Sequence, residues 1–292
     1  MNVHVALWGL TTFVFAIGLA TSAVSGEASR AVKPHVPAGR ANPFVAFFEW
    51  FGNLALFSGQ LLRAAVTPPF EAREFLHQLD ELGFKSLPLV ALAGAATGVV
   101  LTLSTRDSLV RFGAKSFLPA VVCFSIIKES GPIITGLIVS GRAAAGIGAE
   151  LGAMKVTEQI DAIEASAVNP FNFLVATRVL ACIVMLPLLT LVADFCGILM
   201  GWVANTLTEP ITLQLFLHDG MNSVQFSDLL PSTFKTMVFG LIIGVVSCFQ
   251  GMNTRGGTEG VERAATSSVV LASLLIIMAD VLLVRVILAI WG

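Results

Sequence analysis

A chain of 292 residues with 55% hydrophobic and only 12% charged side chains cannot cover a water-facing surface, where about a quarter of residues is usually charged. With a mean hydropathy of +0.85, that scarcity of charge excludes an ordinary soluble enzyme, a nucleic-acid binder and a disordered tail protein, and the formal charge of -2 adds little to it. What remains is an all-α polytopic membrane protein, whose spans each need about 20 mostly apolar residues.

In chain order, residues 5–26 hold no charge. They read either as an additional span or as a signal-like segment, although the basic start such peptides use is missing. Residues 1–40 form an N-terminal hydrophobic segment and linker, and 41–292 a second unit. Residues 43–66 are aromatic-rich and carry Glu49 and Arg63, which suits a helix lying in the membrane interface. Residues 71–82 mix charge and hydrophobe at helical spacing and predict a short surface helix. Five core spans follow at 86–105, 116–149, 171–204, 232–252 and 266–290.

Orientation rests on the Lys/Arg bias of short loops. The stretch 205–230 has no Lys or Arg but holds Glu209, Asp219 and Asp228, so it is placed outside. Lys155, Arg255 and Arg263 then fall inside. Against that bias, loop 106–115 lies outside yet holds Arg106, Arg111 and Lys115.

Motifs for chemistry are missing. There is no GxxxxGK[ST] for nucleotide, no GxSxG, no HExxH and no CxxC. The run Gly146 to Gly152 only loosely imitates a dinucleotide fingerprint, with the wrong spacing and no preceding strand. Cys123, Cys182, Cys196 and Cys248 stand singly in apolar runs and read as small buried hydrophobes. His77 and His218 read as solvated side chains. No catalytic residue and no metal ligand is expected.

Charges inside spans cost at least about 2.5–3.5 kcal/mol each, so each must face a cavity, a partner or the interface. Lys128 and Glu129 are neighbours and point about 100° apart on a helix. They line a substrate path or make interhelical salt bridges. Gly131-Pro132 predicts a kink directly after them. Ala144, Gly148 and Gly152 form a small-residue stripe for close helix packing. Asp194, Asp280 and Arg285 read as structural. In the loop after the second span, Thr157 is placed as N-cap, with Glu158 and Asp161 in the first turn. Ile160 and Ile163 form an apolar strip, and Asn169-Pro170 ends the element. A helix this short is marginal alone, and a protein groove on the cytoplasmic side would hold it.

The run from Lys128-Glu129-Ser130-Gly131-Pro132 through Ser140-Gly141-Arg142 to Glu150-Leu151-Gly152-Ala153-Met154-Lys155-Val156-Thr157-Glu158-Gln159 closely resembles the signature of the MlaE family. These are permease subunits of ABC transporters that work with MCE proteins. Phe249-Gln250-Gly251-Met252-Asn253-Thr254-Arg255-Gly256-Gly257 is a second match, and Pro68-Pro69-Phe70 also fits. The resemblance implies a five-span permease of the bacterial inner membrane that forms a homodimer. It implies movement of phospholipid between inner and outer membranes, supporting outer-membrane lipid asymmetry. The implied partners are a cytoplasmic ABC ATPase, which binds ATP and Mg, a periplasmic MCE-domain protein and in some systems a STAS-domain subunit. No cofactor is implied in this chain itself.

By the same resemblance Lys128, Glu129, Arg142 and Lys235 match polar positions near the lipid cavity. Thr157, Glu158, Gln159, Ile160, Asp161, Ile163 and Glu164 then belong to the coupling helix seated on the ATPase. Three positions depart from the family's usual residues: Lys128 where Arg is usual, Ser130 for Leu, and Asn169 for Asp. The rival readings are an ion-coupled secondary transporter or channel using Lys128, Glu129 and Asp194, a membrane-embedded lipid enzyme, and an anchor subunit.

Overall fold

The computed structural model describes residues 52–61, 72–224 and 226–291. The span expected at 5–26 and the boundary at residue 40 lie outside the described residues. Among those described, five helices are long and apolar enough to cross a membrane: Ala72–Arg111, Lys115–Val156, Phe171–Thr206, Asp228–Met252 and Gly257–Ala289. They contain the first four expected core spans and all of the fifth, 266–290, except its last residue. The chain is a multi-pass membrane protein.

Helix α1 (residues 52–61) lies where the interfacial helix was expected. It buries Phe57 and Leu61, and the Phe57 ring stacks against Phe171 and Phe249, with centroids 4.8 and 5.5 Å away. Helix α2 (Ala72–Leu79) is the predicted short amphipathic helix and runs through a wide turn, Asp80–Phe84, into the first span. That span, α3 (Leu87–Arg111), has Pro88 in its first turn, where a missing N–H costs nothing.

The second span, α4, is built from Leu118–Ser125, Gly131–Val139 and Ala145–Val156. Two π turns join these pieces, Ile126–Ser130 and Ser140–Ala144. A short helix α5 (Gln159–Ala165) follows, then α6 (Thr177–Thr206), entered through the π turn Phe171–Ala176. Helix α7 (Leu213–Asn222) begins at Thr212, whose hydroxyl oxygen accepts from the Leu215 N–H. The bundle closes with α8 (Phe226–Met252) and α9 (Gly257–Trp291).

Small residues set the distances between helices. A Cβ on Gly98 would run into the Gly197 carbonyl, so α3 and α6 touch backbone to backbone. In the same way Gly148 of α4 admits Ser268 of α9, the close packing that the small-residue stripe predicted. The larger apolar core sits where α4, α6, α8 and α9 meet. A smaller core, around Leu118, Val122, Ile126, Ile198 and Phe216, closes the opposite end under α7. Helix α5, the α8–α9 turn and the α2–α3 junction share one end of the bundle. The α3–α4 turn and residues 207–224 share the other.

Candidate functional site

The charges of α4 are presented by its irregular turns. Pro132 has no N–H for the Lys128 carbonyl, and its ring crowds that carbonyl. The expected kink takes the form of the wide turn Ile126–Ser130. The loosened Ile127 carbonyl accepts instead from the Ser232 hydroxyl of α8, 2.7 Å away and buried. Wide turns of this kind are frequent at functional sites.

Within this turn Lys128 and Glu129 point to different partners. Lys128 Nζ lies 3.3 Å from Asp228 Oδ1 and 4.6 Å from the centre of the Phe124 ring. Glu129 accepts a hydrogen bond from Lys235 Nζ at 2.8 Å. Lys235 is 1% exposed, and its Nζ also stands 2.7 Å from Asp280 Oδ1. An isolated ammonium could not persist at such burial. Here two carboxylates, one from α4 and one from α9, flank a single cation from α8.

Glu129 keeps 43% of its side chain uncovered and Lys128 34%. The chain of charge therefore starts at the surface of the bundle and ends inside it. One helical step beyond, Asp194 of α6 packs its Oδ1 against Gly131 with no hydrogen-bond donor, and a Cβ at that glycine would overlap it.

Arg142 belongs elsewhere. It sits in the second π turn, Ser140–Ala144, and donates to the Ser86 hydroxyl and, at 3.5 Å, to the Glu81 carbonyl. Its role in the structure is to fasten α4 to the α2–α3 junction. It does not join the Lys128, Glu129 and Lys235 group, because about two and a half turns of helix, Gly131–Val139, separate the two wide turns.

At the α5 end the sequence reading needs three corrections. Thr157 does not cap α5; its hydroxyl donates back to the Ala153 carbonyl at 2.8 Å and closes α4. The residue before α5 is Glu158, in left-handed backbone at φ 60° with no side-chain cap. The helix, Gln159–Ala165, stops before Asn169-Pro170, and Asn169 starts the next span by accepting from the Phe171 N–H at 3.0 Å.

The apolar strip also turns inward rather than toward a partner. Ile160 is buried in the same core as Leu151 and Leu174, with Ile163 packed beside it. What α5 presents outward is Glu158, Gln159, Asp161 and Glu164, all exposed. Of these carboxylates Asp161 pairs with Lys155 at 2.8 Å.

Beneath this end lies Arg178 of α6, 1% exposed, bonded to Glu150 of α4 at 2.6 Å and to the Leu174 carbonyl at 2.9 Å. It links the floor under α5 to two spans. At the opposite end, Glu209 accepts from both Arg106 and Lys115. The Lys115 hydrogen bond holds the Glu209 carboxyl below the usual carboxylate range.

These features coincide with a known pattern. The family described as Permease MlaE matches residues 75–286. The chain belongs to the MlaE permease family. A probable ABC transporter permease protein of Rickettsia typhi is 36% identical over 239 residues, covering 82% of this chain and 92% of the relative. A counterpart of the same description in Synechocystis is 31% identical, covering 79% and 89%. The Arabidopsis thaliana chloroplastic protein named trigalactosyldiacylglycerol 1 is 30% identical, covering 81% of this chain and 68% of its own length.

The permease is therefore an ABC transporter component, and such a component implies an ATPase partner. The sequence reading took Asp228 as a loop charge, Asp280 as structural, Arg178 as a residue at the entry of a span and Glu150 as part of the family signature, and gave none of them a partner. A charge inside an apolar run is by default a functional candidate with a partner to be named. Applied to Asp280 and Arg178, that rule singles both out.

Proposed function

We propose that the permease moves phospholipid between the inner and outer membranes of a Gram-negative envelope, from a position in the inner membrane, and so supports outer-membrane lipid asymmetry. The observation that carries this reading is the Glu129–Lys235–Asp280 chain, buried at Lys235 and open at Glu129. A charged chain with one open end, set among apolar helices, suits a ligand with a polar head and apolar tails. The Arabidopsis relative is named for a diacylglycerol glycolipid, which agrees with a lipid as cargo.

In this mechanism two copies of the permease face each other and enclose the lipid. Lys128 and Glu129 meet the headgroup, and Lys235 holds Glu129 in place from behind. Asp280 balances the ammonium when Glu129 swings away. A cytoplasmic ABC ATPase, which binds ATP and Mg, seats against the acidic face of α5. Its stroke passes through buried Ile160 into the core, and through Glu150–Arg178 into α4 and α6. A periplasmic MCE-domain protein receives the lipid at the other end, and a STAS-domain subunit attends the ATPase.

The test is a reconstituted complex carrying Glu158→Lys and Glu164→Lys together. The ATPase should no longer co-purify, and lipid transfer between vesicles should fall to the level without ATP. Unchanged association and transfer would sink the reading of α5.

A further inference from the structure

Three cations gather at the end of the bundle where the charge bias argues against them. Arg106 and Arg111 end α3, and Lys115 follows after the turn. Together with Asp107, Val110 and Glu209 they line a cavity of about 370 Å³. Glu209 is shared: Arg106 reaches its Oε1 at 3.2 Å, and Lys115 binds the same oxygen.

One carboxylate thus serves two cations. Arg106 Nε is buried without an acceptor, and Arg111 is exposed to the cavity. Nor are these cations needed to close the helix. The last carbonyls of α3 are met by backbone N–H groups of Phe112, Gly113 and Ala114, with Gly113 in left-handed backbone at φ 66°. With Asp107 also in its lining, the cavity sets three cations against two carboxylates and keeps a surplus of one positive charge.

Its apolar surroundings say what kind of anion fits. Leu89, Leu92, Ala96, Val100, Leu103, Asp107 and Val110 are all uncovered, and their spacing of three and four puts them on one face of α3. That stripe is apolar along its length and becomes polar only where it reaches the cavity. Phe112 and Phe117, 84% and 63% exposed, flank the turn and add apolar surface beside the cavity. An acyl chain laid along the stripe would bring its own headgroup to the arginines.

We propose that the outer end of α3 is a binding site for a glycerophospholipid, with the phosphodiester on Arg111 and Arg106 adding its charge beside it. One acyl chain lies along the Leu92–Val100–Leu103 stripe. The site is separate from the Glu129–Lys235–Asp280 chain, because α3 packs on α6 and α4 while that chain lies among α4, α8 and α9. It rests only on α3 crossing a bilayer, so its failure would leave the transport reading untouched.

The test follows the reactivity of the Arg111 guanidinium toward phenylglyoxal, read by peptide mass spectrometry on the full-length permease in maltoside micelles. Added phosphatidylglycerol should slow modification of Arg111 about tenfold, the effect of one charge-assisted hydrogen-bonded contact. Diacylglycerol with the same acyl chains, and inorganic phosphate at equal concentration, should leave it unchanged. In Glu209→Gln the competing carboxylate is gone, and the half-protecting lipid concentration should fall about two- to fivefold. Equal protection by inorganic phosphate would mean a free-anion site and overturn the proposal. Protection by diacylglycerol, or none by phosphatidylglycerol, would overturn it as well.

Discussion

Two charged regions of this permease obey opposite rules. In the Glu129–Lys235–Asp280 chain the ammonium is 1% exposed and touched from both sides by carboxylates on other spans. On α5, Glu158 and Glu164 stand in the open on a helix of seven residues. The first group holds helices together and is expensive to disturb, because a charge left alone in low dielectric loses its solvation with nothing in return. The second contributes almost nothing to the fold of this chain, since exposed charges are screened and solvated. Charge kept inside the bundle ties spans of this chain to one another; charge kept on α5 is left out of those ties.

The sharpest way to break this contrast is Lys235→Met. It fills much the same volume but leaves Glu129 and Asp280 facing each other without a cation. Thermal or denaturant unfolding in detergent should show a loss of about 3–5 kcal/mol, as expected when one partner of a buried pair is removed. Adding Asp280→Asn to that variant should recover part of the loss, because the second stranded charge is then gone. Equal stability of wild type and Lys235→Met would mean that the charge chain does not bind the spans together.

A smaller effect is expected at the second wide turn. Arg142→Gln removes the donors to the Ser86 hydroxyl and the Glu81 carbonyl, at a cost of about 1–3 kcal/mol. Lipid transfer should survive in whatever fraction stays folded, which separates Arg142 from the transport group. Loss of transfer with stability intact would return Arg142 to the lipid path.

How far the sequence foretold this depends on what each feature requires. The five spans were legible because an apolar run of 20 residues has few alternatives in a membrane. The packing stripe at Gly148 was legible because it needs only residue size and helical period. The pairing of Lys128 with Asp228, or of Lys235 with Asp280, was not. Each pair joins residues far apart in the chain, and the depth of one span against another is set by the whole bundle.

Lys235 came to attention only through the family resemblance, and Asp280 was read as structural. The direction of the Ile160–Ile163 strip also escaped, since an amphipathic pattern gives a face but not what that face meets. The cap at Thr157 failed for a local reason: Glu158 adopts φ 60°, which turns the chain before α5 and leaves the Thr157 hydroxyl beside the Ala153 carbonyl.

On the α5 side the same contrast predicts function lost without stability. Glu158→Lys with Glu164→Lys should shift unfolding by less than about 0.5 kcal/mol, the ordinary range for exposed substitutions, while abolishing association with the ATPase. A large destabilisation would show that the acidic face supports the bundle after all, and the distinction between the two regions would fall.

The smallest expected effect lies at the far end of α5 and has the opposite sign. Ala167 adopts φ 61° without being glycine, and left-handed backbone costs an L-residue about 1–2 kcal/mol. Gly removes that strain but enters folding with more chain entropy to lose, about 0.5–1 kcal/mol. Ala167→Gly should therefore stabilise the permease by about 0.5 kcal/mol in detergent unfolding. Its carbon-only side chain carries no charge to the partner, so any change in ATP-driven transfer would come from a looser joint behind α5. If stability rises and transfer falls together, the strained turn is what keeps α5 rigid enough to pass the stroke inward. If transfer is unchanged, Ile160 in the core suffices to hold α5 in place.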